Sequence, residues 1–227
     1  EHTDDQIGRL VDGLERMGQL DDTVIVLLSD NGASREGGPF GVLHEMKFFN
    51  FLFETPEEAV AHLDDIGGPH SHSNYPWGWA QAGNTPFRWY KSNTHEGGVH
   101  VPCIVHWPKG IADAGGVRHQ FHYVTDIAPT VYELIGIEPP ATYKGVPQLP
   151  VTGTSMAYSF DPAAADAPSR HAVQYFEMMG HRGMYVDGWK AVTHHQEGTP
   201  FDEDRWELYD LTTDPSECHD LAAEQPE

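Results

Sequence analysis

Apolar positions near the start of the chain predict a helix over residues 3–19. Ile7, Leu10, Val11, Leu14 and Met17 recur at steps of three or four and form one stripe. Thr3 is placed to cap the start, and Gly18 to end it. The pattern then changes. Residues 23–29 read Thr-Val-Ile-Val-Leu-Leu-Ser, a continuous, β-branched-rich run. A strand buried on both faces of a parallel sheet reads this way. Helix, short turn and buried strand together predict an α/β fold.

Residues 33–90 lack a sustained period. One short helix is expected over 56–66, where Thr55 caps, Pro56 takes the first position and Glu58 completes a capping box. Gly67-Gly68 ends it. The rest is rich in Gly, His and aromatics, including His70-Ser71-His72 and Trp77-Gly78-Trp79. A loop this long is either functional or disordered, and its aromatics argue for order. Residues 101–107 predict a second strand, stopped by Pro108. Residues 125–135 predict a helix with Ile127, Val131, Leu134 and Ile135 inward, Pro129 in the first turn and Gly136 at the end. Residues 137–170 are a Pro-, Ala- and Gly-rich connection.

Beyond about residue 171 short strands take over, at 171–178, 183–186, 189–194 and 206–211. Asp187-Gly188 between two of them is a tight-turn signal, so they form an antiparallel hairpin. The tail therefore reads as a small antiparallel sheet, closed by a short helix near 219–224.

Composition narrows the functional classes. The 227 residues hold 13 Lys and Arg against 35 Asp and Glu, a formal charge of -22. Phosphate-driven nucleic-acid binding is disfavoured, because it needs basic residues to displace counterions. An anionic membrane surface is disfavoured for the same reason, and no apolar run approaches the ~20 residues of a membrane span. Acidity suits cation binding only where carboxylates converge. The 23 Gly and 17 Pro imply many turns. Two cysteines, Cys103 and Cys218, are too few for a disulfide framework or a cysteine zinc site and leave the compartment open. Cys103 reads as a core residue. The chain begins Glu1-His2-Thr3 and ends Gln225-Pro226-Glu227, which reads as a segment of something longer.

Two segments carry chemistry. Ser29-Asp30-Asn31-Gly32 follows the first strand. Sites in open α/β sheets lie beyond such strand ends. The Asp carboxylate and Asn carbonyl are hard-cation ligands, although an ordinary Asn-Gly turn reads the same way. The second segment runs from Lys91 through Thr94, Glu96, Gly97, Gly98 and Val99 to Pro102. Its lysine can offer a compact charge to a phosphate or sulfate oxygen, or be an ordinary solvated surface residue.

Together these segments resemble the sulfatases, specifically the arylsulfatase branch of the alkaline-phosphatase-like superfamily. Later landmarks fit the same order: Trp107-Pro108-Lys109-Gly110, Val124–Ile137, Gly153-Thr154-Ser155-Met156, Gly188-Trp189-Lys190 and Trp206–Leu211 with Asp214-Pro215. The resemblance spans essentially the whole chain. It implies an alkaline-phosphatase-like sheet portion over residues 1–170 and a small antiparallel α+β subdomain with a terminal helix over 171–227. It implies that Asp30 and Asn31 ligate a divalent cation, most often Ca2+. It implies that Lys91 binds the sulfate of an ester substrate and assists the leaving group. Glu96 and the two glycines look architectural. His100 stands where many relatives carry Arg.

The same resemblance implies a formylglycine nucleophile made from a C/S-x-P-x-R motif. Cys103 is followed by Ile-Val-His and Cys218 by His-Asp-Leu, so neither fits, and no serine starts the motif. The chain thus resembles the carboxyl-terminal half of an arylsulfatase. Its expected partners are a sulfate-ester substrate and the amino-terminal half, and it is expected to be inactive, and to self-associate, alone. A related phosphoester or phosphonate hydrolase and a non-catalytic cation-binding fragment are the alternative readings. His70, His72, His194 and His195 lack a third ligand at a telling spacing and read as polar or substrate-facing. Trp77, Trp79, Phe87, Trp89 and Tyr90 either line an aromatic pocket or pack a loop. Asp202-Glu203-Asp204 reads as a solvated turn.

Overall fold

The computed structural model describes residues 2–52 and 54–225; Glu1, Phe53, Pro226 and Glu227 lie outside the described residues. In chain order the elements are α1 (His2–Arg16), β1 (Ile25–Leu28), α2 (Glu45–Phe49), α3 (Pro56–Ala61), α4 (Trp77–Gly83), α5 (Glu96–Val99) and β2 (Cys103–His106). Then come α6 (Ile127–Ile135), β3 (Thr142–Tyr143), β4 (Val146–Pro147), β5 (Val173–Met178), β6 (His181–Val186), β7 (Trp189–Thr193) and β8 (Trp206–Asp210). The chain divides into two compact units, each discontinuous in sequence.

The first unit joins the residues up to Leu28 with Cys103–Gln174. Its sheet pairs β1 with β2 in antiparallel register, Val26 opposite Val105 and Leu27 opposite Ile104. The parallel pairing expected for β1 is therefore corrected: a continuous apolar run reports burial, not strand direction. Alternation explains the rest. Val24, Val26 and Val105 face Ile127, Thr130, Leu134, Met156 and Phe160 across a narrow apolar cleft. Leu27 and Ile104 point to the other face and are 38% and 59% exposed. Burial on both faces, as expected of β1, is not seen among the described residues. Cys103, expected in the core, is exposed at the strand's start, although alternation puts it on the face of Val105.

Helix α1 starts at His2, so Thr3 lies inside it and not at its cap. Gly18 takes a left-handed backbone just beyond the end. None of its residues is fully buried: Ile7, Val11 and Leu14 of its stripe are half-buried, while Leu10 and Met17 are exposed. Helix α6 ends at Gly136, which is left-handed as expected. Its buried residue is Thr130; Val131 also lines the cleft but is partly open to solvent, and Ile135, expected inward, is exposed outside it. The connection that follows is anchored on fully buried Asp126. This carboxylate accepts the Thr154 amide at 2.8 Å and the Tyr123 amide at 2.8 Å, and faces His171 Nδ1 at 2.8 Å.

The second unit joins Ser29–Pro102 with Tyr175–Glu227. Its four-stranded sheet runs β5-β6-β7-β8, with β6–β7 and β7–β8 antiparallel. Val186 pairs with Trp189 around Asp187-Gly188, both of positive φ, the backbone of a tight hairpin turn. Residues 219–224 form a single hydrogen-bonded turn, Glu224 to Leu221, and not the expected helix. In the long excursion, α3 has the predicted capping box: the Thr55 side chain accepts the Glu58 amide and Glu58 accepts the Thr55 amide. It stops at Ala61, and Leu63–Asp65 follow as a separate 3-10 turn. Helices α2 and α4 were not expected from the sequence. Trp77-Gly78-Trp79 opens α4. Asp204 is not solvated: its carboxylate meets Arg182 at 2.7 Å and His195 at 2.9 Å.

Candidate active site

The two chemistry-bearing segments lie far apart in sequence but are stitched together by backbone in the second unit. The Gly32 amide donates to Gly98 O at 3.1 Å, and the Lys91 amide donates to Ala33 O at 3.1 Å. Asn84 clamps both. Its side-chain oxygen accepts the Ala33 amide at 3.0 Å, while its amide donates to Trp89 O at 3.0 Å and Gly97 O at 2.7 Å. The approach is so close that glycine is a steric requirement. A Cβ on Gly32 would overlap Gly97 O; one on Gly97 would overlap the carbonyls of Arg88 and Trp89. This gives the glycines of both motifs a physical role that spacing alone could not supply.

The backbone around Lys91 is strained. Trp89 and Ser92 are both left-handed, with φ of 66° and 75°. Each costs on the order of 1–3 kcal/mol and persists only where surroundings impose it. Here Gln81 Oε1 accepts the Trp89 amide at 3.0 Å, and Asn93 donates twice to Tyr90 O, at 3.2 Å from its amide and 3.0 Å from its side chain.

Behind this loop, two polar clusters fasten residues 88–96 to the sheet. In one, Glu207 Oε2 receives Arg88 Nη1 at 2.9 Å and Tyr209 OH at 2.7 Å, with His95 Nε2 at 3.1 Å. Burial pushes the His95 imidazole down to about 4, against the pull of Glu207. In the other, Lys190 is fully buried; its ammonium meets Glu96 at 2.6 Å and Glu217 at 3.4 Å. Glu217 also accepts the Glu96 amide at 2.8 Å. Burial raises both carboxyls, but Lys190 overrides it at Glu96, which stays well below the ordinary range. Glu217, farther from the ammonium and beside Glu96, is left at about 7. His100 Nδ1 lies 2.7 Å from Glu96 and its ring stacks on Phe87.

The chemistry-bearing side chains themselves share no hydrogen bond or ion pair among the described residues. No hydrogen bond or ion pair among the described residues engages the Asp30 carboxylate or the Asn31 amide group; Ser29 Oγ donates instead to Asn31 O at 2.8 Å. Two oxygen donors fit a hard cation as part of a shell of six to eight. No group of three or more His, Cys, Asp or Glu capable of holding a metal occurs among the described residues. The Lys91 ammonium is turned to Glu36, at 2.8 Å. Burial raises the Glu36 carboxyl, but hydrogen bonds from Lys91 and Ser34 outweigh it and keep it below the ordinary value. Sequence reading missed Glu36, Asn84, Glu207 and Glu217. An acid five residues past an Asn-Gly turn, or an Asn before Thr-Pro, carries no periodic signal. Of the aromatics, Trp89 packs edge-on against Tyr90 and stacks on His194, whose ring meets His181 at 4.2 Å. Trp79 is 68% exposed.

Comparison with known proteins identifies the family. A family model described as Sulfatase matches residues 1–137, and one described as N-sulphoglucosamine sulphohydrolase, C-terminal, matches residues 86–227. An uncharacterized sulfatase of Schizosaccharomyces pombe is 30% identical over 97% of this chain, which covers 38% of that protein. An arylsulfatase of Klebsiella aerogenes is 30% identical over 78% of this chain and 35% of its own. Among solved structures, Ps i-CgsB in complex with k-i-k-neocarrahexaose matches 98% of this chain and 37% of that one, with a TM-score of 0.59 and 23% identity, a likeness of fold. The chain thus spans less than two-fifths of the length of these curated relatives. With a family model over its first 137 residues and a 30% identical relative along nearly its whole length, the chain belongs to the sulfatase family, within the alkaline-phosphatase-like superfamily.

Proposed function

We propose that this chain is the part of an arylsulfatase-type sulfuric ester hydrolase that supplies part of a cation shell and one sulfate-binding lysine. Asp30 and Asn31 would hold the divalent cation; their two oxygen donors suit a hard ion, and the family resemblance makes that ion Ca2+. That ion, when bound, supplies positive charge to the sulfate oxygens. Lys91 binds an ester oxygen and stabilises charge on the leaving group. The nucleophile, a formylglycine, comes from a C/S-x-P-x-R segment outside these 227 residues. The observation that carries this reading is the backbone stitching of Asp30-Asn31-Gly32 to Lys91 and Gly97-Gly98, which brings oxygen donors and a lysine to one rigid loop cluster.

The test uses a polypeptide that carries both this chain and a C/S-x-P-x-R segment. Lys91→Ala should lower kcat for an aryl sulfate by about 10²-fold, the usual effect of losing one transition-state donor. Wild-type turnover in Lys91→Ala would remove the lysine from the reaction. Faster turnover of aryl phosphates or phosphonates than of aryl sulfates would replace the sulfatase reading with the phosphoester or phosphonate one.

A further inference from the structure

The contact at Lys91 carries a consequence for which anion the loop accepts. Its ammonium is not free: it is paired with Glu36 at 2.8 Å. The Glu36 side chain is only 15% exposed and that of Lys91 40%, so solvent screens the pair incompletely. The other Glu36 oxygen is held by the Ser34 hydroxyl, which fixes the carboxylate on the lysine side. Resting on the reading of Lys91 as the sulfate-binding residue, we propose that Glu36 is a specificity-determining residue that favours monoanionic sulfate monoesters over dianionic phosphate monoesters.

The physical ground is charge counting. Any oxyanion reaching Lys91 must share or displace the Glu36 carboxylate. A fixed negative charge repels a dianion about twice as strongly as a monoanion at the same distance. The attraction of Lys91 for its ligand is meanwhile partly cancelled by its standing partner. Sulfate monoesters carry one negative charge, whereas phosphate monoesters, with a second pKa of about 6, carry close to two above about pH 7.5. A neutral residue at position 36 removes the penalty that separates them. The Asp30 carboxylate adds negative charge in the same loop cluster, but no contact directs it at Lys91, so discrimination is assigned to Glu36.

Methyl sulfate and methyl phosphate are titrated at constant ionic strength, above about pH 7.5, into the 227-residue chain, as wild type, Glu36→Gln, Glu36→Asp and Lys91→Ala. Glu36→Gln should tighten both ligands, methyl phosphate the more. The methyl sulfate to methyl phosphate affinity ratio should fall by roughly fivefold, the scale of one partly exposed charge pair. Glu36→Asp, which keeps the charge, should restore most of the wild-type ratio, and a merely structural role would not. An unchanged ratio in a folded Glu36→Gln, or one that Glu36→Asp fails to restore, would overturn the proposal. Lys91→Ala separates the two levels of argument: it should weaken both ligands. Equal binding by wild type and Lys91→Ala, or no binding by any variant, would overturn the reading of Lys91 itself and the proposal with it.

Discussion

At the scale of single residues, the molecule places its most costly groups behind the candidate site. Lys190 is buried between two carboxylates that do not share it equally. Burial, with the Glu96 charge beside it, outweighs the pull of Lys190 and favours the neutral form of Glu217. The Glu217 carboxyl is raised from 4.5 to about 7, chiefly by burial. The folded chain therefore holds a proton that the unfolded chain releases. Its contribution is fully present below about 4.5 and is lost as pH rises through about 7. His95, lowered from 6.5 to about 4, works in the opposite sense: its contribution is present above 6.5 and is lost as pH falls through about 4. The absolute profile mixes the two, so the comparison is with Glu217→Gln. Chemical denaturation at pH 5 and pH 8 should show wild type losing on the order of 2 kcal/mol more than the variant over that interval. The residues of the candidate site are partly legible in the sequence. Asp30, Asn31 and Lys91 stand out because their chemistry matches a family pattern. Glu36, Asn84 and Glu217 do not, because their roles arise from contacts across the fold.

At the scale of elements, local signals were read correctly where the energy is local. The Thr55–Glu58 capping box is formed as the spacing required, with the Thr55 amide to Glu58 at 2.8 Å. The Asp187-Gly188 hairpin likewise follows from turn chemistry. Losing the Thr55 hydroxyl leaves an orphan amide, so Thr55→Ala should destabilise α3 by ~1 kcal/mol. Hydrogen exchange of the amides in the Pro56–Ala61 helix is the readout, and unchanged protection would show that α3 is held by packing instead. Errors fell where tertiary structure decides. The run from Thr23 to Ser29 could not state that β1 would pair antiparallel with β2. Ile127, Val131 and Leu134 of the α6 stripe line the apolar cleft as read, with Val131 at its rim, whereas Ile135 lies outside it and is exposed. The short α2 and α4 sit in a stretch too rich in Gly and aromatics for periodicity to show.

At the scale of the whole molecule, the two units differ in how they are closed. The second is held by buried polar clusters on a four-stranded sheet. The first covers one face of β1–β2 with α6 and leaves Leu27 and Ile104 exposed on the other. Uncovered apolar surface on a short two-stranded sheet is an association hazard. The net charge of -22 opposes association, and it also repels the sulfate this chain is proposed to bind. Attraction for that anion must then be local, from the cation proposed at Asp30 and Asn31 and from Lys91. The central claim is a division of labour: these residues hold cation and sulfate, and the nucleophile lies on another segment. Hydrolysis of an aryl sulfate by the purified 227-residue chain, with calcium present, tests it most directly. The account predicts no turnover by the chain alone and turnover once it is joined to a C/S-x-P-x-R segment; hydrolysis by the chain alone would contradict it.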